Sequence, residues 1–229
     1  MNGHADIRLL RLLQLASPAL PVGAYSYSQG LEAAIAAGIV TDAATTKRWI
    51  GDVLEYSLGR LEAPLLLRLI AAWQANDFAA VNRWNDLFLA GRETAELRAE
   101  TVQMGFSLTR LFGELGDLEP RALGHLRSLA ETAFPTGFGM AVAHWQIAAQ
   151  EALAAYLWGW LENQIMAAIK TVPLGQTQGQ QILLALSDHV VRVTETAAQL
   201  SDDELGGFMP QLAILSSRHE TQYTRLFRS

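Results

Sequence analysis

Apolar residues recur at intervals of three and four along nearly the whole chain, and this is the periodicity of helices with one buried face. No stretch shows the sustained alternation and β-branched enrichment that are typical of strands. The pattern predicts an all-α protein, a single compact bundle of about ten helices in one domain over residues 1–229. The predicted helices cover residues 5–16, 29–37, 41–58, 63–74, 77 onward, 93–115, 120 onward, 138–150, 150–171, 178–199 (as one helix or two) and 210–217.

Capping residues mark several of these helix ends. Asp42 and Asp77 stand where an N-cap side chain accepts the first free backbone N–H groups, and Pro120 stands at a first helical position, where no donor is needed. Gly38 suits a C-terminal cap, because glycine adopts the left-handed conformation readily. The run from Gly59 to Pro64 interrupts the apolar periodicity, so a break or kink is expected near residue 60.

Three segments rich in glycine and proline separate the helices. The stretch ALPVGAYSYSQGLE, residues 19–32, follows the first helix, and FPTGFGM, residues 134–140, is expected to be a break. PLGQTQGQ, residues 173–180, is expected to be a turn with Gly175 as a cap and Thr177 as the N-cap of the next helix. In the first helix the side chains expected to face the core are Ile7, Leu9, Leu10 and Leu13.

Composition narrows the class of protein. Half of the 229 residues are apolar, which is enough for a substantial core, and the net charge of −6 leaves no general basic field for nucleic acid or anionic lipid. The absence of cysteine from the sequence excludes disulfides, thiolate metal sites and cysteine nucleophiles. We therefore expect a cytoplasmic protein that binds no nucleic acid and no membrane.

Two apolar segments resemble targeting or membrane signals only superficially. Arg8 and Arg11 interrupt the N-terminal apolar run, whereas a signal peptide has an unbroken apolar centre, so mature sequence is expected there. The segment 154–172 carries Glu162 and Lys170, which would be costly in hydrocarbon, so a buried helix is expected.

Patterns that indicate catalysis or metal binding are weak. PLGQTQGQ lacks the lysine and the following Ser or Thr of a phosphate-binding loop. Ser26 and Ser28 are not surrounded by the G-x-S-x-G sequence that presents a nucleophilic serine. No two histidines have the spacing that brings ligands to one helix face; they are His4, His125, His144, His189 and His219. We expect no catalytic residue, no metal site and no cofactor.

Two segments have the composition of recognition surfaces. The opening loop combines Tyr25 and Tyr27 with rigid prolines, which suits either a binding surface or a loop held on the core by its own rings. The C-terminal stretch SSRHETQYTRLFRS is basic and aromatic, with Tyr223 and Phe227 one helical turn apart. That stretch is predicted either to be a frayed terminus or to order on a partner.

These segments resemble a known family when they are taken together. LLQLASPALPVGAYSYSQGLE, FPTGFG, PLGQTQGQ and SSRHETQYTRLFRS are similar, in that order and spacing, to motifs of the urease accessory protein UreF family. The resemblance implies a nearly all-helical, non-enzymatic adaptor that forms a homodimer. With UreD, called UreH in some organisms, such an adaptor recruits the GTPase UreG to the urease apoprotein for nickel insertion and gates GTP hydrolysis.

The resemblance also assigns residues. It implies a docking tail at about 219–229 that orders on UreD, and it implies that PLGQTQGQ and the preceding Lys170 engage or restrain UreG. Family members often have histidine where this chain has Tyr27, so the loop is expected to be a scaffold and a nickel contact there is doubtful. The partner-binding residues implied are Tyr25, Ser26, Ser28, Lys170, Gln176, Gln178, Gln180, Arg218, Tyr223, Arg225, Leu226, Phe227 and Arg228.

Two alternatives to a pure adaptor remain open. Exposed cations could make the protein a direct, activator-type regulator of UreG, and the candidates are Arg225, Arg228 and Lys170. A protein from another class, an enzyme or small-molecule carrier with an apolar helical interior, would use Tyr27, His144 and Glu162 as pocket groups.

Overall fold

The computed structural model describes residues 6–229, so residue 5 of the predicted first helix and His4 lie outside the described residues. Over that range the secondary structure is helical, with turns and no strand, and the prediction of an all-α protein is confirmed. The α-helices are α1 Ile7–Ala16, α2 Leu31–Ala36, α3 Ala43–Asp52, α4 Ala63–Gln74, α5 Phe78–Ala90, α6 Ala95–Leu115, α7 Pro120–Ser128, α8 Phe134–His144, α9 Ala149–Thr171, α10 Gln176–Ala197 and α11 Pro210–His219.

The capping predictions for Asp42, Asp77 and Gly38 are confirmed. The Asp42 carboxylate accepts the Thr45 N–H at 2.8 Å at the start of α3, and Asp77 accepts the Ala80 N–H at 3.0 Å at the start of α5. Gly38 follows α2 with a φ of +71°, the left-handed conformation that glycine adopts without strain. Local sequence therefore sets these helix ends.

The prediction of a break or kink near residue 60 is wrong for the break, because α3 and α4 are joined into one continuous helix. The irregularity at this position is a π-helical segment, Val53–Glu62. Pro64 lacks an N–H, and the carbonyl of Arg60 accepts the Gly206 N–H at 3.0 Å instead. The Tyr56 carbonyl accepts the Phe208 N–H at 3.1 Å in the same way. The loop before α11 thus satisfies carbonyls of the irregular segment. With α3 to α4 counted as one, residues 6–229 contain ten helices, as predicted.

The predicted break at 134–140 is also wrong, since this segment forms most of α8. Pro135 lies in the first turn of α8, where a proline is tolerated. A Cβ on Gly137 would lie 3.2 Å from the Leu108 side chain of α6, and one on Gly139 would lie 3.4 Å from α4. The glycines therefore allow α8 to pack closely between α4 and α6. In the sequence, the same glycines and proline resemble a turn.

Helix α1 is rotated relative to the prediction. Leu12 and Leu15 are its buried residues, and α1 packs on α9 where the Ala16 backbone meets Gly159. Each side chain that was expected to face the core is more than half exposed; they are Ile7, Leu9, Leu10 and Leu13. The prediction fails because leucines occupy both faces of this helix, so periodicity alone does not select the packed face.

The core lies between long helices. α9 packs along α10, and α4 packs along α8 and α5, while α6 covers α8 from the other side. The inner face of α9 is buried at Leu153, Leu157, Leu161 and Ile165, which confirms the predicted buried helix. Over residues 6–229, no helix has the length and apolar character needed to cross a membrane.

Candidate functional site

The tail, residues 220–229, folds back onto the protein rather than continuing α11. It lies against the opening loop, residues 17–30, and against the first turns of α2 and α6. Residues 223–229 are not helical, so Tyr223 and Phe227 do not share a helical face: Tyr223 is fully exposed, whereas Phe227 is buried. The segment is neither a frayed terminus nor a helix in this structure.

Backbone hydrogen bonds join the tail to the opening loop. The Ser28 N–H and Oγ both donate to the Ser229 backbone oxygen, at 2.8 and 2.5 Å, and the Arg228 N–H donates to the Ser26 carbonyl at 2.8 Å. The two segments therefore pair at two points like a short piece of sheet. Of the predicted loop residues, Ser26 and Ser28 contact this chain's own tail, and Tyr25 points into solvent.

The end of the opening loop has unusual backbone geometry that fits this contact. Gln29 and Gly30 have φ values of +51° and +78°, and the Cβ of any larger residue at position 30 would lie 3.0 Å from the Leu212 side chain. Glycine is therefore required at position 30 for conformation and for space. The turn starts α2 directly beneath α11 and places Glu32 in the first turn of α2.

Glu32 is the central anchor of the tail. Its carboxylate is buried and accepts the backbone N–H groups of Leu226 at 2.8 Å and Phe227 at 3.0 Å. Hydrogen bonds from N–H groups to a buried carboxylate are about twice as strong as neutral ones. The same carboxylate lies 3.3 Å from Nε2 of His219.

Glu96, at the start of α6, is the second anchor. Its Oε1 accepts from Nη1 of Arg225 at 2.8 Å, and its Oε2 lies 2.7 Å from Nδ1 of His219. The side chain of His219 is completely buried between Glu32 and Glu96. One ring thus links α2, α6 and α11 at the base of the tail.

Glu100, one turn further along α6, is the third carboxyl group that contacts the tail, and it is buried. Ser229 Oγ donates to it at 2.9 Å and Gln29 Nε2 donates to it at 2.6 Å, while Trp160 Nε1 donates to the other end of the Gln29 amide at 2.5 Å. Burial raises the pKa of Glu100 to about 7, against the lowering effect of these two hydrogen bonds.

A cavity of about 360 Å³ lies behind the loop. Its walls are mostly apolar, and its buried polar lining includes Glu62, Arg92, Glu100 and Tyr156. Glu62 accepts from the Tyr156 hydroxyl and pairs with Arg92 at 3.1 Å. Burial, followed by the Glu62 charge, raises the pKa of Tyr156, which keeps this hydroxyl a hydrogen-bond donor.

The residues suggested for a small-molecule site are separated in the structure. Glu162 lines the cavity, whereas His144 is exposed in the last turn of α8. Tyr27 is buried beside the tail, and its carbonyl accepts from Asn163 Nδ2 at 3.0 Å. The three groups therefore do not form one pocket.

The predicted UreG-facing residues lie at the start of α10 and the end of α9. The prediction of Thr177 as N-cap is wrong: α10 begins at Gln176, and Gln178 Oε1 accepts the Gly175 N–H at 2.9 Å. Gln178 therefore closes the helix start itself, while Gln176 and Gln180 are exposed. Lys170 lies with its Nζ 5.8 Å from the Phe227 ring, which brings this segment next to the tail.

The side chains predicted to bind partners divide into two groups in the structure. Phe227 and Ser28 are buried and hold the tail in place. Ser26 is half-buried, and the remaining residues are exposed in whole or in large part; they are Tyr25, Lys170, Gln176, Gln178, Gln180, Arg218, Tyr223, Arg225, Leu226 and Arg228. The structure brings Arg225, Leu226 and Arg228 onto one short segment beside the opening loop.

Residues that sequence reasoning missed hold this arrangement together: Glu32, Glu96, Glu100, His219 and Ser229. Glu32 and His219 could have been found from the sequence, because they lie inside the motifs S-x-G-L-E and R-H-E. Glu96 and Glu100 occur in an ordinary amphipathic helix, and no local pattern distinguishes them from surface acids.

The fold and this site define an all-helical protein that displays a folded tail, fixed by buried carboxylates, on its surface. The UreF family model matches residues 40–187, which is more than half of the chain.

Similar proteins extend the match to nearly the whole chain. The urease accessory protein UreF of Azoarcus sp. (strain BH72) is 59% identical over 223 residues, covering 96% of this chain and 95% of its own. That of Dechloromonas aromatica (strain RCB) is 50% identical over 224 residues, covering 97% and 98%. That of Methylobacillus flagellatus is 51% identical over 221 residues, covering 96% and 97%. The chain belongs to the UreF family of urease accessory proteins, as the sequence motifs predicted.

Proposed function

We propose that this protein is a non-enzymatic adaptor in urease maturation. Together with UreD (UreH) it recruits the GTPase UreG to the urease apoprotein and gates GTP hydrolysis, so that nickel, the cargo of the reaction, is inserted. It acts as a cytoplasmic homodimer. Family membership supports the accessory role, and the geometry of the tail supports the adaptor mechanism.

The observation that carries the proposal is how the tail is held. Its main chain is fixed to the body through the N–H groups of residues 226–228 and the backbone oxygen of Ser229. The Tyr223 side chain is fully exposed and Leu226 is 70% exposed, and in the loop Tyr25 is 67% exposed. A segment fixed by its backbone presents its side chains at little entropic cost to a partner, and exposed Tyr, Leu and Arg groups are suited to protein interfaces.

The start of α10 supports a second docking surface, for UreG. Gln176 and Gln180 are exposed polar side chains on a capped helix, and Lys170 joins this surface to the tail through Phe227. We propose that UreD contacts the tail and loop while UreG contacts this adjoining surface. One rigid body would then hold both partners in register.

The first experiment is capture of purified UreD by a variant with Tyr223→Ala and Leu226→Ala. Removing two exposed, preordered anchors is expected to weaken capture at least tenfold, because central apolar anchors contribute about 1–2 kcal/mol each or more. The fold should be unaffected, since neither side chain is packed in the core. Leu184→Ala, an equally exposed leucine on α10, is the matched control. Unchanged capture by the double variant would contradict the proposal.

Truncation tests the tail as a unit. Removal of residues 219–229, the bounds that the family resemblance implies, would also delete the buried His219 and leave Glu32 and Glu96 facing each other's charge. Removal of residues 221–229 keeps that ring in place. We expect the shorter deletion to retain the helical circular dichroism and to lose UreD capture; retained capture would exclude the tail as anchor.

UreG engagement is tested separately with Gln176→Ala and Gln180→Ala. Both side chains are exposed, so reduced UreG binding with normal UreD binding is expected. Gln178 is left unchanged because its replacement would also remove the helix cap. Normal UreG binding by this variant would remove the segment from the proposed surface.

The activator alternative is distinguished by turnover measurements. Arg225 is already paired with Glu96 in the structure, whereas an arginine finger must reach the nucleotide. Arg225, Arg228 and Lys170 are changed singly to alanine, and GTP hydrolysis by UreG is measured in the assembled complex. A fall in GTP turnover of about a thousandfold with UreG binding intact would establish direct activation. We expect instead that turnover changes only as far as UreG binding changes.

A further inference from the structure

The cavity behind the opening loop has the size and the lining of a small-molecule site. Its volume of about 360 Å³ lies within the range of ligand pockets. Exposed side chains such as Met166 and Lys170 line it together with the buried rings of Phe88 and Phe138, so it runs from the surface into the core. The volume is roughly ten times that of one water in the liquid, and water binds poorly between apolar walls.

Four elements bring polar groups to the buried part of this cavity. Glu62 comes from the end of the π-helical segment, Arg92 from the connection between α5 and α6, Glu100 from α6 and Tyr156 from α9. A buried ion pair such as Glu62 with Arg92 contributes little net stability, and π-helical irregularities are frequent at functional sites. A few convergent polar groups in an apolar cavity are typical of a ligand site.

Arg92 has a hydrogen-bond donor that the described residues leave unused. Its Nη2 lies 3.1 Å from Glu62 Oε2, and its guanidinium lies over the Phe88 ring, 4.2 Å from the ring centroid. Its Nε is closed to solvent and donates to no atom of residues 6–229. A buried donor without an acceptor is costly. Because Arg92 lines the cavity, a ligand with an acceptor can supply the missing partner.

The charges in the buried part favour a neutral ligand. The Glu62 carboxylate and the Arg92 guanidinium offset each other. Burial raises the pKa of Glu100 to about 7, so this carboxyl group is mostly protonated at pH 6 and adds little charge there. An ionic ligand would have to leave water without finding a free counter-charge in this part of the cavity, and that transfer is costly.

We propose that the cavity binds a small neutral amphiphile. The ligand has an aromatic or other apolar body, which packs against Phe88 and Phe138, and one acceptor such as a ketone or amide oxygen, which accepts from Arg92 Nε. Binding is a property of the isolated protein and requires no partner. It is therefore a further activity, separate from the surface contacts of an adaptor.

The first test uses prodan, a neutral naphthalene ketone whose emission shifts to the blue in apolar surroundings. At pH 6 we expect saturable binding of one prodan molecule per chain. Two relatives of prodan are compared with it, one without the acyl group and one with a carboxylate in its place. Each is expected to bind at least about tenfold more weakly, because the first lacks the acceptor and the second is an anion. Absence of saturable prodan binding, or tighter binding of either relative, would overturn the proposal.

A cavity-filling variant locates the bound prodan. Ala155 of α9 lines the cavity, so Ala155→Phe places a ring inside it and is expected to weaken prodan binding at least tenfold. Ala185→Phe, at an exposed position of α10 that does not line the cavity, is the matched control and should bind as the parent does. Unchanged binding by Ala155→Phe would mean that prodan lies on an exposed apolar surface, and the proposal would fail.

The role of Arg92 is tested with Arg92→Lys, which retains a cation for Glu62 but has no Nε–H donor. We expect prodan binding to weaken about tenfold and binding of the relative without the acyl group to stay unchanged. Equal losses for both molecules would overturn the assigned hydrogen bond. If circular dichroism shows that Arg92→Lys does not fold, the three naphthalenes compared on the parent protein decide the question.

Discussion

Glu100 offers a quantitative test of the site, because its carboxyl group is buried beside the tail and the cavity. Burial raises its pKa from the ordinary 4.5 to about 7, so the folded protein binds this proton more tightly than the unfolded chain does. Between pH 4.5 and 7 the unfolded chain has lost the proton while the folded protein retains it. Stability therefore falls as pH rises through this window, and the loss is complete above about pH 7.

The magnitude follows from the same interval. At about 1.4 kcal/mol per pKa unit, a rise in the Glu100 pKa from 4.5 to about 7 lowers the free energy of unfolding by about 3 kcal/mol at pH 8. Glu100→Gln removes the titration, and the amide can still accept from Gln29 and donate to Ser229. We expect the variant to be about 3 kcal/mol more stable than the parent at pH 8 and within about 1 kcal/mol of it at pH 5.

The assay is urea unfolding followed by circular dichroism at pH 5, 6, 7 and 8. Glu114→Gln, on the exposed end of α6, is the control and should change stability by less than about 0.5 kcal/mol throughout. A gain for Glu100→Gln that is equal at pH 5 and pH 8 would refute the reasoning, since it would reflect packing and not a buried charge. No gain at pH 8 would refute it as well.

Two further predictions concern packing around α8. Gly105→Ala would place a Cβ about 2.0 Å from the Thr132 carbonyl, so we expect destabilisation of about 3 kcal/mol or loss of folding, whereas Gly124→Ala meets no atom within 4 Å and should stabilise α7 by about 0.5–1 kcal/mol. Asn85→Ala would leave buried partners on residues 131–136 unpaired and should cost about 3 kcal/mol, against less than about 1 kcal/mol for the exposed Asn82→Ala. Thermal and urea unfolding measure both pairs, and equal effects within a pair would contradict the contacts described.

The helices were largely predictable because their signals are local. Asp42, Asp77 and Pro120 start helices through contacts within three or four residues, and such contacts depend on neighbours in sequence. The failures occurred where a distant element decides. The glycines of α8 resemble a turn until α4 and α6 pack against them, and Pro64 resembles a break until residue 206 supplies the missing donor.

The candidate site was predictable only in part, for the same physical reason. The motifs indicated the loop and the tail as important segments, but no pattern in the sequence predicted that the two segments contact each other. Their contact depends on Glu32, Glu96 and His219, which come from three helices and have no shared spacing in sequence. When the carboxylate oxygens of a buried acid accept hydrogen bonds from a segment far along the chain, the contact produces no periodic pattern in the sequence.

The pairing of Ser28 with Ser229 has a consequence for how the protein is made. The two residues are 201 positions apart, so at about 5–20 residues per second the loop is synthesised roughly 10–40 s before its tail exists. The helices between them can pack during that interval, but the surface that the loop and the tail form together cannot yet form. Only a chain synthesised as far as Ser229 can present this surface, and we expect copies that stop earlier to lack it.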